Sequence, residues 1–230
     1  MTAQTESPSS TSIPLISDRE ELLRRGVCKV PIPPKIHKER KRWASELSQI
    51  TPMNMAGEGD GEYAFYRNII MEPELEFPLD CILESEIDKA ILKYFGVSKL
   101  DDIRLDDCFC VHYNPSQSDS SGAKHTDPSD ITVNMCIEKT DDVEGSHVLF
   151  YGTRKLRNVE RDDAEEKSED ADSLFYVCQE EGYATIHFGA HPHETMPLEG
   201  DRGRRTNIVL TYWYKDESKS EAGRRTCYFG

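Results

Sequence analysis

Hydrophobic positions recur at helical spacing through the first hundred residues and at every second position after that. SDREELLRRG (17–26) carries Ser17 as an N-cap, Glu20 three residues on to complete a capping box, and Gly26 as a stop. VCKVPI (27–32) reads as a short strand ended by Pro33-Pro34, and KIHKERKRWASELSQI (35–50) as a second helix. TPMNMAGEGDGEYAF (51–65) is rich in glycine, has no period and reads as a loop. In ILESEIDKAILKYF (82–95), Ile82, Leu83, Ile87, Ile91, Leu92 and Phe95 fall three and four apart. They form one stripe of an amphipathic helix closed by Gly96, and core contact is a sufficient account of it.

From residue 104 the period changes to two. RLDDCFCVHY (104–113), ITVNMCI (131–137), SHVLFYG (146–152), SLFYVCQ (173–179), GYATIHF (182–188) and RTNIVLTYWYK (205–215) read as strands between turn residues. In the second of these Ile131, Val133, Met135 and Ile137 alternate with Thr132, Asn134 and Cys136, a strand with one apolar and one polar face. Helices first and many short strands afterwards predict a mainly β fold, an antiparallel double sheet braced by N-terminal α-helices. VERDDAEEKSEDAD (159–172) is nearly all charge, has no face to bury, and reads as a loop insertion or a flap at the mouth of a site.

Composition narrows the function. The chain of 230 residues is expected to form a single domain over 17–230 behind a disordered leader (1–16). A net charge of −15 argues against general nucleic-acid binding, and the basic KIHKERKRW (35–43) is a solvated helix face. No apolar run approaches the ~20 residues that cross a bilayer, and MTAQTESPSSTS (1–12) is not a secretory signal. Seven scattered cysteines with no such signal predict reduced thiols and a cytoplasmic protein. Cys108 and Cys110, in CFC, are too closely spaced for a zinc knuckle and lack a second pair.

The chemistry gathers at two places. GAKHTDPSD (122–130) holds His125 and Asp127 two residues apart, at the mouth of the alternating strand. Both side chains are expected on one side of extended backbone, within reach of one metal. HPHETMPLEGDRGRRTNIVLTYW (191–213) supplies a distal histidine, a turn, and an arginine opening the last strand. Non-haem Fe(II) that must also bind a co-substrate and O₂ needs two imidazoles and one carboxylate on one face, with the other positions open. An arginine can grip a carboxylate in a planar two-bond fork, which a lysine does less well.

Together these segments resemble the Fe(II)/2-oxoglutarate-dependent dioxygenases, in particular their prolyl- and lysyl-hydroxylase-like branch. VHYNPSQSDSSGAKHTD, ITVNMCI and EGSHVLFYG resemble an aromatic-ended strand, an HxD loop, a following strand and a Gly-Gly turn. HPHETMPLEGDRGRRTNIVL resembles the distal histidine, proline, glycine and arginine series. The resemblance covers about 104–215, where it implies a double-stranded β-helix (jelly-roll) core, with 17–100 as helical support.

Carried over residue by residue, it implies His125, Asp127 and His193 as iron ligands, with His191 competing for the third place and His187 a core or supporting residue. It implies Arg205 as the grip on 2-oxoglutarate and Tyr113 as its hydrogen-bonding neighbour. Two departures stand out: Arg205 follows the distal histidine by more than is usual, which leaves Arg202 and Arg204 in contention, and Gly145-Ser146 replaces Gly-Gly. The implied co-substrates are 2-oxoglutarate and O₂, with Fe(II) as metal and ascorbate as an expected aid. The implied reaction is hydroxylation of a C–H bond in an amino-acid unit, free or in a peptide, with release of succinate and CO₂. Rival readings are an oxygenase of small amino-acid-derived metabolites, a silent jelly-roll binding module, and a cupin-like metal isomerase that would not need Arg205.

Overall fold

The computed structural model describes residues 13–48, 65–70, 75–82, 85–115, 117, 120–160 and 173–221. The first helix, α1 (Arg19–Arg24), is capped by Asp18 rather than Ser17: the Asp18 carboxylate accepts from the Glu21 amide at 2.8 Å. A carboxylate is the stronger cap because it also offsets the positive end of the helix dipole. Gly26 ends the turn in the left-handed region at φ +92°, where the Arg154 backbone approaches too closely for any Cβ. Helix α2 (Pro34–Leu47) begins on a proline, whose missing N–H costs nothing at a helix start. Helix α3 (Glu86–Tyr94) starts four residues later than its apolar stripe suggests, because Ser85 caps it and Leu79–Ile82 forms a separate 3₁₀ turn.

Two antiparallel-rich sheets face each other. The larger contains β2 (Val27–Pro31), β3 (Phe65–Asn68), β4 (Ile103–Tyr113), β6 (Ile131–Lys139), β10 (Tyr183–Phe188) and β13 (Arg205–Tyr214), in the order β2-β10-β6-β13-β4-β3. The smaller contains β1 (Leu15–Ile16), β5 (Gly122–His125), β8 (Val148–Tyr151), β9 (Leu174–Val177) and β11 (His193–Thr195), in the order β1-β9-β8-β11-β5. A two-stranded ribbon pairs β7 (Glu144–Gly145) with β12 (Leu198–Glu199). This is a jelly-roll arrangement braced by helices, as the change of period predicts.

The alternation in β6 has a direct structural cause. Ile131, Val133, Met135 and Ile137 are fully buried in the core that the large sheet shares with Ile36, Trp43 and Leu47 of α2 and Ile87 and Ile91 of α3. Thr132 and Asn134 point the other way, into the space between the sheets. Each fully buried Ile or Leu contributes on the order of 1.5–3 kcal/mol, so the helices hold β6 in register by its outer face. The inner face is left free for polar groups. Phe150, Phe175 and Val177 form a smaller core with Leu22 and Val27.

Leu15 and Ile16, expected in the leader, instead pair in parallel with Tyr176 and Val177 as a short edge strand. The remainder of the leader (1–12), the glycine-rich loop at 51–64 and residues 161–172 of the acidic insertion lie outside the described residues. Among the described residues no helix is long and apolar enough to cross a membrane, and the described cysteines are all free thiols.

Candidate active site

The two histidine segments meet across the smaller sheet. Strands β5 and β11 are antiparallel neighbours, and His125 and His193 are register partners. Asp127 is not on the strand with His125. It lies in the turn after β5, where its amide donates to the Gly189 carbonyl at 2.9 Å. Convergence of the pair therefore comes from this turn and not from strand parity.

Asp127 Oδ1 is 3.3 Å from His125 Nε2 and 3.8 Å from His193 Nε2. One donor atom from each of the three residues can be chosen so that all lie within 4.8 Å of one another. Both imidazoles are oriented from behind: Nδ1 of His125 donates to the Ala123 carbonyl at 2.7 Å, and Nδ1 of His193 donates to the His191 carbonyl at 2.9 Å. A carbonyl can only accept, so Nδ1 carries a proton in both rings and Nε2 is the nitrogen that faces the shared point.

The surroundings of each group set its protonation state. Burial would raise the Asp127 carboxyl pKa. The hydrogen bond from His125, the facing His187 and His193 and the Thr132 hydroxyl outweigh burial and hold it below the usual carboxylate range. Burial, with His187 adjacent, pushes His193 down to about 4, so its ring is neutral at pH 7. The hydrogen bond its Nε2 donates to Asp127 raises the pKa of half-exposed His125, and a metal ion would take the place of that proton.

His191 is fully buried against Phe150 and Phe175, and its Nε2 donates to the Gly152 carbonyl at 3.1 Å. Of the two competing histidines, His193 is thus the one that reaches Asp127. Pro192 breaks the alternation between them, so sequence parity could not decide it. His187, on β10, packs edge-on against His193 with ring centroids 4.7 Å apart, and its Nε2 is 4.0 Å from Asp127 Oδ2. It borders the cluster without joining the three donors.

The cluster opens into a cavity of about 680 Å³, mouth included, between the two sheets. At its other end Arg205 opens β13 opposite Tyr113 of β4. Its guanidinium is 2% exposed, lies 4.7 Å above the Tyr113 ring, and donates from Nη1 to the Ser146 carbonyl at 2.8 Å. Nε has no partner, and among the described residues no carboxylate is within ion-pair distance of Arg205. The competing arginines are committed elsewhere: Arg202 is 80% exposed beside Asp201, and Arg204 forks onto Glu138 with two 2.9 Å bonds.

The Gly145-Ser146 turn explains a glycine pair at this place, since both residues are left-handed, at φ +68° and +56°. Serine there costs ~1–2 kcal/mol relative to glycine. It keeps the Ser146 carbonyl on Arg205.

One group escaped the sequence reading. Asn134 of β6, Asn207 of β13 and Gln179 after β9 line the cavity between the metal-capable cluster and Arg205. Asn207 Nδ2 donates to Asn134 Oδ1 and, at 3.1 Å, to Gln179 Oε1, while its own Oδ1 is buried without a partner. Asn134 and Asn207 could have been found from parity, being on the polar face of β6 and two residues beyond Arg205. Gln179 carries no such signal.

No family model matches the sequence, and no curated protein matches it. Solved structures do. An oxidoreductase of the 2OG-Fe(II) oxygenase family from Burkholderia pseudomallei aligns with a TM-score of 0.60 at 13% identity, over 88% of this chain and 95% of that one. The fold is that of the 2OG-Fe(II) oxygenases. Two further structures share it. The non-heme alpha ketoglutarate dependent carbocyclase SnoK of nogalamycin biosynthesis aligns at TM-score 0.57 and 14% identity, over 86% of this chain and 84% of its own. The epimerase SnoN, in complex with Fe³⁺, alpha ketoglutarate and nogalamycin RO, aligns at 0.53 and 15%, over 85% and 83%. Within this oxygenase fold the described residues hold His, Asp and His at one end of the cavity and a buried arginine at the other.

Proposed function

We propose that the protein is an Fe(II)- and 2-oxoglutarate-dependent oxygenase. In this reading His125, Asp127 and His193 hold the iron, Arg205 grips the C5 carboxylate of 2-oxoglutarate, and Tyr113 flanks it. The carrying observation is that two incomplete sites share one cavity. Two imidazole Nε2 atoms and a carboxylate oxygen converge on a common point, and a buried cation faces the same space with no carboxylate partner among the described residues. A dicarboxylate supplies what Arg205 lacks, and two neutral imidazoles with one carboxylate suit ferrous iron with positions left open. The dependence on alpha ketoglutarate stated for SnoK and SnoN supports the assignment. A silent module or a cupin-like isomerase gives no reason to bury Arg205 with no carboxylate beside it among the described residues.

Iron with 2-oxoglutarate supplies an oxidant able to attack an unactivated C–H bond, with succinate and CO₂ as co-products. The chain's own residues do the rest. The carbonyls of Ala123 and His191 fix the imidazole rings, Arg205 orients the co-substrate, and Phe150, Val148, Val209 and Phe109 wall the cavity against water. Ascorbate would serve to keep the metal reduced.

For the substrate, the likeness of residues 104–215 to prolyl and lysyl hydroxylases supports an amino-acid unit, peptidyl or free. Asp127 is the only carboxylate lining the cavity among the described residues, and it is committed to the histidines. An entering ammonium therefore meets no free counter-charge there among the described residues, which favours a neutral, prolyl-like unit over a lysyl one. A small natural product is the second reading, favoured by the biosynthetic neighbours.

Anaerobic titration of the Fe(II) protein with 2-oxoglutarate tests the core of the proposal. A weak charge-transfer band is expected on chelation, lost in His193→Ala and kept in His191→Ala. No band in the wild type would overturn the assignment. Succinate release, followed across neutral and cationic amino-acid peptides and small metabolites, then separates the substrate classes.

A further inference from the structure

Asp127 has two oxygens, and the structure treats them differently. Oδ1 faces His125 and His193, as described above. Oδ2 accepts a 2.5 Å hydrogen bond from the Thr132 hydroxyl. Thr132 Oγ1 is in turn 2.9 Å from Ser129 Oγ. Thr132 has one proton and an ionised carboxylate can only accept, so that proton goes to Asp127 and Ser129 is the donor to Thr132. The result is a directed chain, Ser129 to Thr132 to Asp127 Oδ2, in which Ser129 and Thr132 are 0% and 2% exposed.

The surroundings lock this chain in place. Thr132 is on the inner face of β6, whose outer face is held under α2, and its register partners are His187 and Thr211. Ser129 is pinned by Gly189: a Cβ on that glycine would lie 2.1 Å from the Ser129 carbonyl oxygen. The same Gly189 accepts from the Asp127 amide and donates to the Asp130 carbonyl. The turn bearing the carboxylate and the hydroxyl chain behind it are thus held by one piece of backbone.

We infer that Thr132, oriented by Ser129, is a positioning residue that engages Asp127 Oδ2 and presents Oδ1 alone to the metal. Left free, a carboxylate can bind a divalent ion through both oxygens and fill a position the co-substrates need. A charge-assisted hydrogen bond on the outer oxygen favours single-oxygen binding before the metal arrives. The inference rests on the metal-site assignment above, and it adds residues that no motif points to.

The test compares Thr132→Val, which keeps the shape and removes the hydroxyl, with Thr132→Ser, which keeps the hydroxyl, and with Ser129→Ala. Mn(II) and Co(II) binding to each protein is titrated anaerobically, and folding is verified by circular dichroism. Thr132→Val is expected to bind ~10–100-fold more weakly and to show weakened Co(II) d–d absorption as the carboxylate becomes bidentate. Thr132→Ser should restore both affinity and spectrum, with Ser129→Ala in between. Unchanged affinity and spectrum in Thr132→Val would overturn the inference while leaving the metal site standing, and so would failure of Thr132→Ser to rescue a folded protein. Should Thr132→Val fail to fold, Ser129→Ala decides by the same readouts. Absence of any metal binding in the wild type would remove the site itself and the inference with it.

Discussion

Replacing Arg205 by methionine should stabilise the co-substrate-free protein while abolishing its response to 2-oxoglutarate. The guanidinium is 2% exposed, and its described partners are neutral: one carbonyl at 2.8 Å and one ring face at 4.7 Å. An ion held out of water retains a desolvation penalty of several kcal/mol. The hydrogen bond returns ~2 kcal/mol and the ring contact ~1 kcal/mol. A methionine of similar length forfeits both returns and removes the penalty, for a net gain of about 1–2 kcal/mol.

In a chain of this size that gain is a rise in Tm of about 2–8 °C. Binding moves the other way. Loss of two charge-assisted bonds to a carboxylate, ~1.5–3 kcal/mol each, weakens 2-oxoglutarate at least ~10²-fold. At a concentration 100 times Kd the co-substrate stabilises the wild type by ~2.7 kcal/mol and should leave the variant unmoved. Thermal unfolding by circular dichroism, with Mn(II) in place of iron and with or without 2-oxoglutarate, reads both effects. A variant clearly less stable than the wild type without ligand, or one still shifted by 2-oxoglutarate, would refute the view that this charge is buried for a ligand's sake.

Gly189→Ala places a Cβ into the Ser129 backbone, so a loss of ~1–3 kcal/mol is expected. Weaker Mn(II) binding should accompany it, because the Asp127 turn must move. Wild-type Tm and affinity together would contradict the contact. Burial holds His112 neutral, its pKa pushed down to about 4 from an ordinary 6.5. The unfolded chain therefore takes up this proton below pH 6.5 and the folded chain does not until about pH 4. The contribution, ~3 kcal/mol, is fully present above pH 6.5 and lost as pH falls from there to 4. His112→Gln should flatten the plot of stability against pH across that window by about one proton, and denaturant melts at stepped pH would reveal an unchanged slope if the reasoning is wrong.

The parts of the molecule that were legible in the sequence are those where packing writes a period. The alternation of residues 131–137 records a strand caught between a helical layer and a polar cavity, and the stripe on 82–95 records a helix of that layer packed on β2 and β10. His125 and Asp127 were legible as a pair, although the backbone that brings them together is a turn and not the strand that parity suggested. Strands β5, β11 and β12 were missed because segments of two to four residues are too short to show a period. Ala123, Lys124 and His125 of GAKH are exposed, and the segment carries no apolar period. The choice of His193 over His191 depends on which ring faces Asp127, and the choice of Arg205 over its neighbours on which guanidinium is free of a carboxylate. Neither is a property of spacing. The amide group of Asn134, Gln179 and Asn207 has no motif, since amides on separate strands acquire meaning only when the sheets close on them.

Strand β5 has a single strand neighbour, β11, among the described residues, and His125 is its last residue. An ion gripped by His125, the following turn and His193 would staple the rim of the smaller sheet to its interior. Metal-free protein should then fray first at residues 122–127, with rapid amide exchange there while β6 and β13 stay protected. Loading the ion and zipping the rim would become a single cooperative event.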